Sequence, residues 1–183
     1  TLIVSAATSY FHADPEIHCD TLLEKALAVK YRHLHKKHKR AYQSLFERVY
    51  LHLGPQKNAS PLPTDLRLAA YQDQPDPGLD ALYYQFGRYL LISSTRPGQL
   101  PPNLQGLWAN SIQTPWNGDY HLNINLQMNH WLAEPGNLAE LHLPLIDFTK
   151  AIVPSGQTTA RLFYGADGWT AHVICNPWHF TAP

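Results

Sequence analysis

Hydrophobic and polar positions along the chain predict a series of helices separated by loops. Apolar residues recur at helical spacing over residues 22–34, and Asp20 or Thr21 can cap the start of that run. A second run, "AYQSLFERVYLHL", ends at Gly54, and "DLRLAAYQD" predicts a short third helix. Residues 54–64 contain three prolines and show no periodicity, so they predict a loop.

The clearest helix covers residues 79–94, which are apolar almost all round and therefore typical of a helix packed on several sides. A loop rich in proline, tryptophan and amide groups follows, and such a loop commonly lines a binding site. Its tryptophans could equally fill the core. Further helices are predicted over residues 122–133, over residues 138–153 with an interruption near Pro144, and across "GQTTARLFYGADGW".

The first residues have a different pattern. Residues 2–11, "LIVSAATSYF", are rich in β-branched and aromatic residues and predict one strand. A single strand is unstable because its backbone groups need partners. We therefore expect this strand either to pair with sequence outside this chain or to remain unpaired.

Composition indicates a folded globular protein and removes some classes of partner. The chain has 183 residues, of which 44% are hydrophobic, enough for one domain with a core. Its 14 basic and 14 acidic residues cancel, so there is no electrostatic argument for nucleic acid or an anionic membrane as a partner. The basic run at residues 33–40 is typical of a solvated helix face. Cys19 and Cys175 lack zinc-binding spacing, and no apolar run approaches the roughly 18 residues of a membrane span.

The segment "PWNGDYHLNINLQMNHW", residues 115–131, places polar side chains in an apolar setting. His121, Asn123 and Asn125 occupy alternate positions, which share one face of an extended segment but not of a helix. Their apolar neighbours would then face the core: Tyr120, Leu122 and Ile124. The pattern predicts an extended lead-in that aims an imidazole and two amides into one space, before a helix that Asn125 can cap.

Amide groups can donate and accept hydrogen bonds at once, so two neighbouring amides can orient a water molecule or a sugar hydroxyl without carrying charge. Tryptophan rings nearby can stack on the apolar faces of a pyranose: Trp108, Trp116 and Trp131. The combination favours a carbohydrate site. The alternative is that the asparagines cap helices and tie loops together, and on spacing alone this second interpretation has the greater weight.

Three long segments follow one another along the chain: "QFGRYLLISSTRPGQLPPNLQGLW", "PWNGDYHLNINLQMNHWLAEPGNLAELHLPL" and "ARLFYGADGWTAHVICNPWHFTAP". In their residues and in their order along the chain, these segments resemble glycoside hydrolase family 95. That family holds α-L-fucosidases acting on α-1,2-linked fucose and some α-L-galactosidases. The resemblance extends over nearly the whole chain and is most specific over residues 88–134.

The resemblance implies a fold. The family has an N-terminal β-sandwich, a helical linker, an (α/α)6 barrel that carries the active site, and a C-terminal β domain. Residues 1–18 would end the sandwich domain, residues 19–76 would form the helical linker, and residues 77–183 would form the first part of the barrel. We therefore expect a mainly α fold in an internal fragment of a longer enzyme.

The resemblance also implies a mechanism. A glutamic acid of the family protonates the leaving oxygen, while two asparagines and an aspartate orient the attacking water, with inversion of configuration. By the motif His-x-Asn-x-Asn, the asparagines match Asn123 and Asn125, and His121 matches a histidine that contacts fucose. Trp116 and Trp108 are candidates for the wall of the sugar pocket. The acid and the base match no residue here, so they are expected beyond the C-terminus and the chain alone is expected to be inactive.

No metal or nucleotide motif occurs, and the family needs no cofactor. The implied partner is a fucosylated oligosaccharide or glycan, which by analogy predicts a secreted or periplasmic protein; the oligomeric state is left open. Two alternatives remain: an α-L-galactosidase on the same scaffold, and a non-catalytic carbohydrate-binding module that has lost its acid and base. For His172, which lies in the third segment, packing and a role at the site are equally supported.

Overall fold

The computed structural model describes residues 2–54 and 62–183, and this part of the chain is mainly helical, as predicted. It divides into two compact units, Thr1–Ser44 and Leu45–Pro183. The helices are α1 (Pro15–Leu27), α2 (Tyr31–Phe46), α3 (Thr64–Ala70), α4 (Pro77–Ser94), α5 (Asn125–Met128) and α6 (Leu143–Tyr164). Two short strands, β1 (Tyr120–His121) and β2 (Ile174–Cys175), pair in antiparallel orientation. Among the described helices, none combines the length and the apolar character needed to cross a membrane.

In the first unit, α1 begins earlier than the predicted start at Asp20 or Thr21. The Asp14 carboxylate accepts a hydrogen bond of 2.9 Å from the backbone N–H of Ile17 and so caps the helix. The prediction of a strand over residues 2–11 is wrong for the described structure. Residues 2–8 form no strand and residues 9–11 form a turn, because no second strand pairs with them in the described part of the chain.

The basic run at residues 33–40 lies on α2 with its charged side chains exposed, which confirms the predicted solvated face. α2 ends at Phe46, whereas the sequence predicts a helix that continues to Gly54. The last turn of α2 is closed by a hydrogen bond from the N–H of Arg48 to the Leu45 carbonyl oxygen, and the carbonyl oxygens of Leu45 and Phe46 also accept hydrogen bonds from Arg88, which satisfy the end of the helix at this point. Within the predicted loop, residues 55–61 lie outside the described residues.

Arg88 is fully buried, and its guanidinium joins three segments of the second unit. Nε donates to the Gly136 carbonyl oxygen at 3.0 Å, and Nη2 donates to the Leu45 carbonyl oxygen at 2.9 Å. Nη1 donates to the Phe46 carbonyl oxygen at 2.7 Å and to Oε1 of Gln85 at 2.8 Å. The last carbonyl groups of a helix carry partial negative charge, so the end of α2 stabilises this buried cation.

α3 and α4 are present where the sequence predicts helices, and Asp76 links them. The Asp76 carboxylate caps α4 by accepting a hydrogen bond of 3.0 Å from the N–H of Leu79. It also accepts two hydrogen bonds from Arg67 of α3, at 2.8 and 3.0 Å, which hold the pKa of this carboxyl below its ordinary value. α4 is not packed on every side, since Tyr83 is 79% exposed.

α6 is one helix of 22 residues where the sequence predicts two. Pro144 lies in its first turn, where a missing N–H costs little, and a short 3-10 turn over Ala139–His142 precedes it. Pro154 lies inside α6 without ending it. The side chains of Phe148 and Ile152 form a core with Tyr120 and Cys175, which shows why: packing of this face outweighs the hydrogen bond that proline removes.

Arg88→Lys is expected to lower the free energy of unfolding by about 3 kcal/mol, because the three donors of an ammonium group lie at one point and cannot reach the acceptors that Nε, Nη1 and Nη2 bond separately, so buried acceptors are left unsatisfied. Urea denaturation followed by circular dichroism measures this change. Arg161→Lys on the exposed side of α6 is the matched control and should be nearly neutral. Equal stability of the Arg88 and Arg161 variants would contradict the role given to Arg88.

Two helical glycines should respond oppositely to alanine. At Gly156 in α6, a Cβ would lie 2.8 Å from the Thr170 carbonyl oxygen and 3.0 Å from Cε3 of Trp169. At Gly87 in α4, a Cβ would meet no atom within 4 Å. Gly156→Ala should therefore destabilise the protein by about 1–3 kcal/mol, whereas Gly87→Ala should stabilise it by about 0.5–1 kcal/mol. Thermal unfolding of both variants measures these changes in stability. A Gly156→Ala protein as stable as the wild type would show that residues 169–170 do not approach α6 closely.

Candidate functional site

The predicted extended lead-in exists, but it is short. Tyr120 pairs with Cys175 and His121 with Ile174, and the N–H of Leu122 donates to the Val173 carbonyl oxygen at 2.7 Å. Residues 122–124 then turn, and α5 starts at Asn125. The predicted helix over residues 122–133 is accordingly one helical turn, followed by further turns up to residue 137.

The predicted alternation of buried and open side chains is wrong in two respects. The alternation predicts His121 in an open polar space, but this residue is 8% exposed; it predicts Ile124 in the core, but this residue is 41% exposed. The reason is that both sides of β1 are covered. The Tyr120 ring packs edge-on against Phe148 of α6 with centroids 4.8 Å apart, and the His121 ring lies 5.6 Å from the Trp116 ring.

Trp116 reaches His121 through a strained turn over Pro115–Gly118. Trp116 and Asn117 have φ values of 56° and 55°, and Gly118 follows with 65°. This left-handed region costs about 1 kcal/mol or more for each residue other than glycine. The turn is held from outside, because Nε2 of Gln105 donates to the Pro115 carbonyl oxygen at 2.9 Å. The resulting indole is largely exposed and meets the imidazole at an interplanar angle of 77°.

Hydrogen bonding at His121 is incomplete. Within the described residues, its buried Nε2 has no hydrogen-bond partner. A buried polar atom without a partner costs free energy, and a sugar hydroxyl is one group that could satisfy it. The imidazole and the adjoining indole together offer a polar atom beside an aromatic surface, the combination that a pyranose ring uses.

The two asparagines of the motif also keep their carboxamides unused. Asn123 is exposed, Asn125 is half-buried, and neither side chain makes a hydrogen bond to another described residue. The prediction that Asn125 caps α5 is wrong, since Ile124 occupies the cap position. Asn129 behaves differently, because its Nδ2 donates to the Asn103 carbonyl oxygen at 3.0 Å and ties a loop.

A pocket of about 630 Å³ opens beside Asn123. Its wall is mostly apolar and comes from residues 171–183, with Val173, Ile174 and Phe180 among the lining side chains. Apart from His172, which also lines the pocket, sequence reasoning missed this wall because its residues lie about 50 positions further along the chain. Only the pairing of β1 with β2 brings them next to the motif.

Trp108, the other predicted wall residue, lies elsewhere. It lines a separate pocket of about 370 Å³ with Gln105 and Asn129. Its ring packs on Gly106, where an added Cβ would lie 2.5 Å from Cζ3 of the indole. The structure thus joins Trp116 to His121 and places Asn123 beside an apolar pocket, whereas Trp108 belongs to a different cavity. Among residues 2–54 and 62–183, no group of histidine, cysteine and carboxylate side chains could hold a metal ion.

His130, just beyond the motif, is a buried histidine whose Nδ1 is bonded to the backbone and whose Nε2, like that of His121, has no hydrogen-bond partner among the described residues. Its Nδ1 lies 3.0 Å from the Leu126 carbonyl oxygen, and its ring stacks on His142 at 5.7 Å. His142 in turn binds Glu134, with 2.6 Å between Nδ1 and Oε1. Burial lowers the pKa of His130 below its ordinary value, so protonation of this residue favours the unfolded state.

The contribution of His130 to stability should be complete above about pH 6.5, its ordinary pKa, and should be lost as the pH falls below it. His130→Asn keeps a donor near Nδ1 but removes the titration. The stability advantage of the wild-type protein over this variant should therefore shrink between pH 8 and pH 5, as measured by urea denaturation. His38→Asn, on the exposed face of α2, controls for loss of a histidine; a constant difference for His130→Asn would contradict the assignment.

Comparison with known proteins places these residues in a family. The sequence model described as "Glycosyl hydrolase family 95 catalytic domain" matches residues 30–183. The chain is 44% identical over 174 residues to Alpha-L-fucosidase 2 of Arabidopsis thaliana, covering 93% of this chain and 21% of that protein. It is 44% identical over 154 residues to Probable alpha-fucosidase A of Aspergillus niger, covering 83% of this chain and 19% of that protein. The chain thus spans about a fifth of the length of these curated relatives.

Proposed function

Because the chain belongs to glycosyl hydrolase family 95, we propose that it forms part of an inverting α-L-fucosidase that releases terminal α-1,2-linked L-fucose from glycans. The observation that carries the proposal is that His121, Asn123 and Asn125, within five residues of one another, all keep hydrogen-bonding capacity that no other described residue uses, beside a pocket. Buried or clustered polar groups are normally paired within a protein. Side chains that keep this capacity are suited to a ligand.

In the proposed mechanism, the carboxamides of Asn123 and Asn125 orient the attacking water. Each amide oxygen can accept a hydrogen from water while the amide nitrogen donates to a neighbouring group, so the lone pair of the water is directed without a net charge. An amide cannot take up a proton at neutral pH. The proton of the water must therefore pass to a carboxylate, and a second carboxylic acid must protonate the leaving oxygen.

His121 and Trp116 have the proposed role of binding the sugar. The imidazole would bond a fucose hydroxyl through Nε2, while the exposed indole would cover an apolar face of the ring. The strain in the Pro115–Gly118 turn supports this assignment, since strained residues persist where the surrounding structure fixes a functional geometry. Trp108 lines a different pocket and would contribute only to binding a more extended glycan.

The apolar pocket beside Asn123 favours fucose over L-galactose. The two sugars differ at C6, where fucose has a methyl group and galactose a hydroxymethyl group. The part of the wall formed by Val173, Ile174 and Phe180 has only apolar side chains, which offer no hydrogen bond to an added hydroxyl. Apolar pockets reject such an addition only modestly, so we expect a preference on the order of 100-fold for fucosides.

For the chain as a whole, we propose the architecture of the family: residues 1–18 at the end of a β-sandwich domain, residues 19–76 as a helical linker, and residues 77–183 as the first part of an (α/α)6 barrel. The helices α4 and α6, which flank the candidate site in sequence, would be barrel helices in this arrangement. The substrates are glycans, which fits secretion or the periplasm.

Asn125→Ala is expected to lower kcat for 2'-fucosyllactose by about 100- to 1000-fold with little change in KM, because a lost water-orienting dipole acts mainly in the transition state. The measurement uses the reading frame that contains this chain, with NMR to establish that β-L-fucose is released first. Asn110→Ala, at an exposed loop position, is the matched control.

The outcomes separate the competing functions. Faster release from an α-L-galactoside than from the fucoside would replace the proposal by the galactosidase alternative. Binding of fucose without hydrolysis would indicate a carbohydrate-binding module. Unchanged kcat in Asn125→Ala, with active wild-type protein, would remove Asn125 from the mechanism.

A further inference from the structure

We propose that His172 is a positioning residue for Asn123, acting through the backbone of Val173 and Leu122. The proposal rests on the proposed function of Asn123, but it makes a structural claim that can be tested separately. His172 lies neither on β1 nor in the motif, so its connection to Asn123 has to be traced through measured contacts.

Both nitrogens of the His172 imidazole are engaged. Nδ1 lies 2.8 Å from the Thr181 carbonyl oxygen and must donate to it, because a carbonyl oxygen can only accept. In the neutral ring, Nε2 then has a free lone pair and accepts the hydroxyl hydrogen of Tyr164, at 2.5 Å. The Tyr164 and His172 rings also stack, with centroids 5.8 Å apart. The His172 imidazole thus connects Tyr164, at the end of α6, to Thr181.

The segment of residues 170–181 is fixed to α6 at two further points. The Thr181 hydroxyl lies 2.8 Å from the Thr159 hydroxyl of α6, and both residues are buried. The N–H of Thr170 donates to the Gly156 carbonyl oxygen at 3.2 Å, where the absence of a side chain permits close approach. Residues 170 and 181 are therefore anchored on α6, and His172 closes the loop between them by bonding Thr181 through both its ring and its backbone N–H.

The connection to the motif is direct. Val173 follows His172, and its carbonyl oxygen accepts the hydrogen bond from the N–H of Leu122 at 2.7 Å. Leu122 precedes Asn123, whose exposed side chain makes no hydrogen bond that would hold it in place within the described structure. The orientation of the Asn123 carboxamide therefore depends on its backbone, and that backbone is held by the Val173 carbonyl group. Loss of the His172 contacts would let the carbonyl group, and with it Asn123, move.

The test compares amide hydrogen exchange of Leu122 by NMR in the 183-residue chain. His172→Ala should accelerate this exchange by about tenfold or more, since it removes both bonds of the imidazole, while the core amide of Ile92 in α4 stays protected. His172→Asn restores a donor near Nδ1 and should recover part of the protection. Tyr164→Phe removes only the bond to Nε2 and should give a smaller acceleration; Tyr83→Phe, an exposed tyrosine of α4, is its matched control.

Unchanged Leu122 exchange in His172→Ala would overturn the proposal. So would equal exchange in His172→Ala and His172→Asn, because a merely space-filling role gives no rescue through hydrogen bonding. If His172→Ala also accelerates amide exchange at Ile92, the variant is globally destabilised and the milder Tyr164→Phe is compared instead. Faster Leu122 exchange in Tyr164→Phe than in Tyr83→Phe supports the proposal, and equal exchange overturns it.

A second arm measures kcat and KM for 2'-fucosyllactose in the reading frame that contains this chain. A displaced water-orienting group should lower kcat of His172→Ala by about tenfold or more, with a smaller change in KM. Normal kcat together with faster Leu122 exchange would overturn the link to Asn123. If the wild-type protein releases no fucose, the proposed function fails, whereas the exchange results still decide whether His172 positions the backbone.

Discussion

The candidate site depends on a backbone pairing between residues 120–122 and residues 173–175. Three neighbouring contacts carry it, two in the β1–β2 register and one from the N–H of Leu122 to the Val173 carbonyl oxygen. So short a ladder is not stable alone, since isolated pairs of strands are marginal in water. It persists because Tyr120 and Cys175 from its two strands are buried against Phe148 and Ile152 of α6. The polar motif is therefore held in place by apolar packing on the opposite side.

Polar side chains in this protein differ in how many of their hydrogen-bonding atoms are paired with other described residues. Arg88 and His130 are completely buried; Arg88 uses all three guanidinium nitrogens in hydrogen bonds, whereas His130 uses Nδ1 and leaves Nε2 without a partner among the described residues. Arg88 joins the end of α2 to a distant turn, and His130 bonds the backbone one turn before it. Around the His-x-Asn-x-Asn motif, an imidazole nitrogen and two carboxamides likewise keep capacity that other described residues do not use. The motif differs from His130 because three such side chains lie within five residues beside a pocket, which is what a binding site is expected to show.

The strained turn at Trp116 belongs to the same pattern. Two consecutive residues other than glycine adopt left-handed conformations, and the strain is supported by a hydrogen bond from Gln105, in the loop before it. The effect is to set an exposed indole against a buried imidazole. Together with the anchoring of residues 170–181 on α6, this means that the motif is positioned by contacts from both preceding and following segments of the chain.

The sequence by itself determined the helical class, the positions of α3 and α4 and the solvated basic face of α2, because these follow from local periodicity and charge. It also identified the motif at residues 121–125 and its family. Helix ends and lengths were decided by tertiary structure: Arg88 satisfies the carbonyl groups at the end of α2, and core packing stabilises α6 across Pro154. Tertiary structure likewise determined the surroundings of the motif. Period-2 alternation predicts which side chains share a face, but only the pairing with residues 173–175 and the cover from Trp116 determine that His121 is buried, Ile124 is exposed and Asn123 borders an apolar pocket.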